Sequence, residues 1–337
     1  MDNAYYILAK RQIDIERLHI CTWEFPNESS YIEFGVEFPD KAFNGEEPLE
    51  FFLAVPFVKK DDIVTCLMSS LSDRENSRFI FNDVVNGVEN VGTDTREGSI
   101  LKFETREVLT VLPCNEIVTD EGLITIKIKQ PPKHEGNLYF RILVKLSEDT
   151  IAIKKSGVAQ SNYIYDIKIN ETRNIPQNIY DIKNEKELQI CKIKKLFCLH
   201  AVPDSFEFSF VDTSKLKNIR KLESTAFQKY LPNIKSIKKD CYNIMFLKDS
   251  VESDEESEVK SYSFFTICTE ETIGSKQIAL AVAANIICGL LFAISSLRFV
   301  KNSSIAWYSQ IPWEYWIALI VFSLLLVYLF TPLKKKF

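Results

Sequence analysis

Apolar and polar positions alternate from Tyr31 to Phe38, with Ile32, Phe34, Val36 and Phe38 on one side and Glu33 and Glu37 on the other. That period of two is the mark of a strand with one face on a core. Ile124, Ile126 and Ile128 repeat it against Thr125, Lys127 and Lys129. After turn signals at Pro131, Pro132 and Gly136, the series Leu138, Phe140, Ile142, Val144 and Leu146 alternates with Tyr139, Arg141 and Lys145. Two alternating runs about a turn predict a β-hairpin. Phe206, Phe208 and Phe210 predict a further strand. One segment reads as an amphipathic helix instead: Asp212 or Thr213 as cap, an apolar face of Leu216, Ile219, Leu222, Ala226 and Phe227, and a stop at Pro232. Many strands and few helices predict a mainly β fold, a sandwich or barrel-like cytosolic domain with one amphipathic helix.

The pattern changes near the C-terminal end. Ile278 to Leu297 carries no charge, and from Trp313 onward only Glu314 interrupts a second apolar run. About 20 such residues cross a hydrocarbon core as a helix, so a two-helix transmembrane hairpin is expected, with spans at 278–297 and 313–332. Trp307, Tyr308, Trp313, Tyr315 and Trp316 lie in or beside the connecting loop, where aromatic rings favour the headgroup level. Lys276 and Lys334, Lys335 and Lys336 outweigh Arg298 and Lys301, which predicts both termini in the cytoplasm of a multi-pass membrane protein. Three segments follow: a β-rich domain at 1–180, a basic β/α unit at 181–272, and the hairpin at 273–337.

Composition agrees with this division. The chain has 337 residues, a net charge of −5 and only 10 glycines, which disfavours the Gly-rich turns of a nucleotide-binding doubly wound sheet. No apolar stretch near Met1 reads as a secretory signal. The eight cysteines are dispersed, as in reduced thiols. No phosphate loop, nucleophile elbow or paired histidine motif is present, so no catalytic residue, metal ligand or cofactor is expected. Cys191, Cys198 and His200 are close in sequence, but their spacing fits no zinc pattern and reads as strand packing.

Two features carry functional content. Positive charge concentrates between Lys183 and Lys248, where Lys194, Lys195, Lys215, Lys217, Arg220 and Lys221 are candidate contacts for a nucleotide or single-stranded oligonucleotide through phosphate neutralisation and stacking. The same charges suit anionic lipid headgroups, or a merely solvated face. In the first apolar run, Ala281, Asn285, Gly289 and Ala293 recur every four residues, a stripe that permits close helix approach within the pair or in a homo-oligomer. An amide in hydrocarbon needs a partner, which places Asn285 at a packing seam or pore.

A β-rich domain followed by such a hairpin resembles, in layout, the two-transmembrane effectors of prokaryotic nucleotide-signal antiviral defence, of the CBASS, Panoptes and Hailong types. The resemblance implies a bacterial inner-membrane effector whose soluble domain senses a nucleotide signal and whose helices oligomerise, pore-forming, to permeabilise the membrane. Several such effectors carry their helices first, whereas here they come last. The rival expectation is a non-catalytic tether or receptor whose β-domain binds a protein partner.

Overall fold

The computed structural model describes residues 4–25, 29–43, 45, 48–60, 62–146, 151–157, 160–222, 228–231, 234, 241–251, 259–271, 275–298 and 313–330. Outside them lie Ala226, Phe227 and Pro232 of the expected helix, the acidic run 252–258, the aromatic loop residues Trp307 and Tyr308, and Lys334 to Lys336. The chain divides into two compact units, Met1–Ser156 with Asn162–Glu270, and Gly157–Ser161 with Glu271–Phe337.

The strands in chain order are β1 (Ala4–Ala9), β2 (Asp14–Trp23), β3 (Tyr31–Phe38), β4 (Leu49–Ala54), β5 (Val64–Cys66), β6 (Val85–Asn90) and β7 (Ser99–Phe103). They continue as β8 (Leu109–Val111), β9 (Glu116–Asp120), β10 (Leu123–Ile128), β11 (Asn137–Lys145), β12 (Ile153–Ser156) and β13 (Gln160–Ile169). The last are β14 (Gln189–Ile190), β15 (Lys192–Pro203), β16 (Phe206–Val211), β17 (Leu216–Leu222), β18 (Tyr242–Ser250) and β19 (Tyr262–Glu271). Helices α1 (Met68–Leu71), α2 (Arg74–Phe81) and α3 (Gln177–Glu185) are inserted among them.

One sheet runs β16-β19-β13-β1-β4-β10-β9, with β12 on β13 and β14 on β1. The other runs β17-β18-β15-β2-β3-β11-β8-β7-β6, with β5 on β11. Antiparallel pairing of β14 with β1 and parallel pairing of β15 with β2 carry the strands of 181–272 into the same two sheets as those of 1–180.

Alternation explains the core. Ile32, Phe34, Val36 and Phe38 of β3 and Leu138, Phe140, Ile142 and Val144 of β11 share one cluster with Ile7, Phe51, Leu53, Ile124 and Ile126 of the first sheet. The opposite face of the second sheet is also covered. Cys21, Trp23, Tyr139 and Leu143 pack there with Leu71, Phe81, Phe103 and Tyr230. The polar half of β3 and much of that of β11 therefore face a second buried layer, and Glu33 and Arg141 are essentially inaccessible to water.

Three expectations are corrected. The runs 124–128 and 138–146 do not form a hairpin, because β10 pairs with β4 and β9 while β11 pairs with β3, β5 and β8 in the other sheet. The turn between them crosses from sheet to sheet, and each strand keeps its apolar face on the common core. Gly136 takes φ +65° there, and a Cβ on it would run into the Val108 carbonyl. The segment expected to be a capped helix is the edge strand β17, paired with β18. A bulge between Leu216 and Asn218 shifts the alternation by one residue, so Leu216 and Ile219, three positions apart, fall on one face of the strand.

The third correction concerns the second unit. It holds α4 (Ser275–Arg298) and α5 (Trp313–Phe330), and among the described residues no helix is long and apolar enough to cross a membrane. The expected transmembrane hairpin is therefore replaced by a helix pair. The helices are antiparallel: Cys288 Sγ donates to the Ala318 carbonyl (3.6 Å), and the rings of Phe292 and Tyr315 lie 4.8 Å apart.

Gly35 lies opposite Arg141 in the β3–β11 register, and a Cβ there would collide with the Tyr139 ring hydroxyl. Gly35→Ala should destabilise the β-rich unit by about 1–3 kcal/mol through overpacking. Urea unfolding followed by far-UV circular dichroism measures it.

Candidate functional site

Strand register assembles a polar site on the outer face of the second sheet. Lys195 of β15 stands opposite Arg17 of β2, Arg17 opposite Glu37 of β3, and Glu37 opposite Tyr139 of β11. The next row on the same face is Phe197, His19, Gly35 and Arg141. Because side chains on one face recur every second residue, four strands bring these groups together from positions far apart in sequence.

The turn after β7 closes the site. Asp83 fixes it by accepting hydrogen bonds from the Thr105 hydroxyl (2.7 Å), the Thr105 amide (3.3 Å) and the Arg106 amide (3.0 Å). Arg106 then reaches inward with its guanidinium 4.9 Å over the Phe81 ring and 4.8 Å over Phe103, and donates to Glu37 (3.0 Å). Glu37 also accepts from Asn137 (3.0 Å) and lies 3.7 Å from Arg17. Burial of Arg106 outweighs its pairing with Glu37 and lowers its pKa from the usual arginine value. Its Nε is buried without a hydrogen-bond partner.

These groups line an open cleft of about 390 Å³ bounded by Glu16, Arg17, Glu37, Thr105, Arg106, Glu107, Asn137 and Lys195. Glu16 is paired with Lys194 (2.9 Å) and Glu37 with Arg106 and Arg17, which leaves Lys195 and Glu107 as the other charged groups of the lining. A second cleft of about 510 Å³ shares Thr105 and is lined by Arg78, Asn82, Asp83 and Arg220, among others.

Beneath the cleft the polar groups continue inward. Tyr139 Oη lies 3.0 Å from His19 Nδ1 and accepts from Arg141 Nη1 (3.1 Å). Arg141 donates to Glu33 from Nε, and its Nη2 also lies 2.5 Å from Glu33 Oε2. Glu33 accepts as well from Trp23 Nε1 (2.7 Å) and Tyr230 Oη (2.8 Å). Burial acts against the Arg141 charge, but Glu33, Tyr230 and Tyr139 outweigh it and raise its pKa well beyond the usual range.

The residues singled out from sequence are dispersed. Lys195 is in the first cleft and Arg220 in the second, where it donates to Asn82 (2.9 Å) and stacks 5.8 Å over Phe246. Lys194 pairs with Glu16, Lys215 with Asp249 (3.3 Å) and Asp212 (3.8 Å), and Lys221 with Asp204 (3.1 Å). Lys217 is exposed on β17. Arg17 and Arg106 were not anticipated, since neither lies in a basic stretch and only the β2–β15 pairing and the Asp83-fixed turn bring them to Lys195.

The helix stripe does not line the contact within the helix pair. Ala284 and Cys288 are buried against Ala318, whereas Asn285 and Gly289 are exposed, Ala293 is exposed and Ala281 is half-buried. A Cβ on Gly289 would meet nothing within 4 Å.

Cys198 and His200 touch (Sγ–Nε2 3.6 Å), and His200 Nδ1 lies 2.8 Å from the Thr22 hydroxyl. Among the described residues no group of three His, Cys, Asp or Glu side chains is placed to hold a metal ion. Neither any protein-family model nor any curated protein matches the chain.

Two buried histidines set the acid limit of this unit. Burial lowers the His19 pKa well below its ordinary value, and Arg141, Arg106 and Arg17 lower it further. Burial lowers His200 to about 3, in a site formed by Thr22, Cys198 and the Tyr165 ring. Both stay neutral when folded and gain a proton on unfolding below roughly pH 6.5. Stability is therefore full above that pH and falls as the pH drops, by about 1.4 kcal/mol per unit for each histidine. Urea titrations between about pH 6 and pH 5 should give a slope of roughly two protons, and His200→Gln should reduce it by about one.

Proposed function

We propose that the β-rich unit is a non-catalytic recognition module for a phosphate-bearing ligand, a nucleotide or single-stranded oligonucleotide, taken up in the cleft of Arg17, Arg106 and Lys195. The observation that carries this reading is the convergence of Arg17, Arg106 and Lys195 on one open cleft, where a phosphate competes with Glu37 for the two arginines and meets Lys195 directly. Arg106 is held flat by Phe81 and Phe103 and fixed by its turn, so it is pre-organised for an anion. The exposed Lys195 and the half-exposed Arg17 supply charge that a phosphate neutralises as it binds.

The helix pair is the output side of this reading. Ile286, Ile287, Leu290, Trp316 and Leu324 are more than half exposed, and association with further copies of the chain or with lipid buries them. Ligand binding in the cleft regulates that association. No step requires either helix to cross a bilayer.

A second reading, a receptor for a protein partner, is favoured by Phe210 of the edge strand β16 and its neighbour Phe265. Both rings are exposed and packed edge to face at 5.8 Å. An exposed aromatic pair on a sheet edge suits a protein surface better than a phosphate.

Fluorescence anisotropy of the full chain with a labelled short single-stranded oligonucleotide separates the readings. Three phosphate contacts predict a log–log salt slope of about −2. Arg17→Glu and Lys195→Glu should each weaken binding by roughly tenfold or more and flatten the slope, since a charged hydrogen bond contributes about 1.5–3 kcal/mol. Lys215→Glu and Lys221→Glu, which alter local ion pairs away from the cleft, should leave both unchanged. Absence of binding, or equal loss from all four variants, would overturn the cleft assignment and favour the receptor reading.

A further inference from the structure

Cys66 closes β5, opposite Ile142 of β11, and Cys114 lies in the connection between β8 and β9. They are 48 positions apart in sequence, yet the Cys114 amide donates to Cys66 Sγ at 3.3 Å. The same sulfur accepts from the Cys114 thiol and from the Met68 amide. Cys114 packs against the core between the sheets and Cys66 against the outer cluster, and both are only half-buried. Three donors converging on one partly accessible sulfur, one of them a second thiol, make a setting for a thiolate rather than a packed thiol.

Three buried cysteines differ. Burial raises Cys21 well above the ordinary thiol range, and it pushes Cys191 and Cys268 up to about 12. At Cys66 the hydrogen bond from the Cys114 thiol prevails over burial and, with the two amides, draws the pKa down to about 6. Donation to Cys66, with burial, pushes Cys114 up. One sulfur is thus ready to attack and the other holds the proton that a leaving group needs.

We propose that Cys66 and Cys114 form a peroxide-reactive dithiol, with Cys66 as the attacking sulfur and Cys114 as the resolving one. The Cys66 thiolate displaces alkoxide or hydroxide from the peroxide; the O–O bond breaks, an S–O bond forms, and the departing oxygen takes a proton from water. The Cys114 sulfur then attacks Cys66, the S–S bond forms, and the sulfenic oxygen leaves as water with the Cys114 proton. Two thiols lose two electrons, and the peroxide is reduced to alcohol or water. The product ties the edge strand β5 to the β8–β9 connection. This site is independent of the cleft reading.

The test treats the reduced full chain with one equivalent of hydrogen peroxide and reads intact mass and a non-reducing peptide map. The expected product has lost two hydrogen atoms and carries a Cys66–Cys114 cross-link. Cys114→Ser should stop at a sulfenic acid on Cys66 that dimedone traps, and Cys66→Ser should leave Cys114 unmodified. Iodoacetamide labelling of Cys66 should have its midpoint at about pH 6 in the parent, and a higher one in Cys114→Ala, which lacks the side-chain donor. A cross-link between other cysteines, no cross-link, or an ordinary thiol midpoint in the parent would overturn the proposal. The parent's map and midpoint decide it even where a variant fails to fold.

Discussion

Glu33 and Arg141 place opposite charges on adjacent strands where water does not reach, and the arrangement of the second sheet follows from keeping them satisfied. A buried charge without partners costs several kcal/mol, so each must be met by hydrogen bonds as well as by the other charge. Trp23 and Tyr230 complete the carboxylate, and Tyr139 takes the remaining reach of the guanidinium. These partners come from β2, β11 and the segment around Tyr230, which therefore have one mutual register in which both carboxylate oxygens are met, while Arg141 Nη2 rests on the ion pair alone. Gly35 is the complement of this demand, because only a residue without Cβ leaves room for the Tyr139 ring and Arg141 to lie across β3.

The cleft is built on the same rows. Tyr139 stands opposite Glu37, and Glu37 is where Arg106, Arg17 and Asn137 meet, so a shift of β3 against β11 would separate the cleft cations along with the buried pair. Phe81 and Phe103, which hold Arg106, belong to the apolar cluster that covers Glu33 and Arg141. Fold specificity and ligand recognition thus draw on one set of side chains. A residue such as Lys195, exposed at the end of its row, adds charge without bearing on the interior.

Much of the β architecture is legible along the chain, because period-two alternation follows directly from the pleat and strands β3, β10, β11 and β16 carry it openly. What alternation does not reveal is which layer covers the polar side. Glu33, Glu37 and Arg141 look like solvent-facing positions until α1, α2 and the segment around Tyr230 are placed over that face. Nor does it fix partners: the 124–128 and 138–146 runs look like a hairpin, yet a core fed from both sheets accepts two adjacent strands equally well on opposite sides. At 216–219 a bulge gave two apolar residues on one strand face the spacing of a helix. The apolar residues near the C-terminal end form two helices as their composition suggests, but the described residues give a packed pair in which Ala284 and Cys288, and not the stripe through Asn285 and Gly289, meet the partner helix. Of the cleft cations only Lys195 lay in a basic stretch. Arg17 and Arg106 reach it through long-range pairing, for which no local signal exists.

A double-mutant cycle on Glu33 and Arg141 tests whether the buried pair governs this unit. Glu33→Gln keeps an acceptor for Trp23 and Tyr230 while removing the charge, and Arg141→Met removes the other. Each single replacement should cost about 3–5 kcal/mol in urea unfolding, because it strands a charge in the interior. The double replacement should be more stable than Arg141→Met alone, with a coupling of several kcal/mol. Costs that simply add, or single variants as stable as the parent, would show that the two charges do not constrain each other and that the register is set elsewhere.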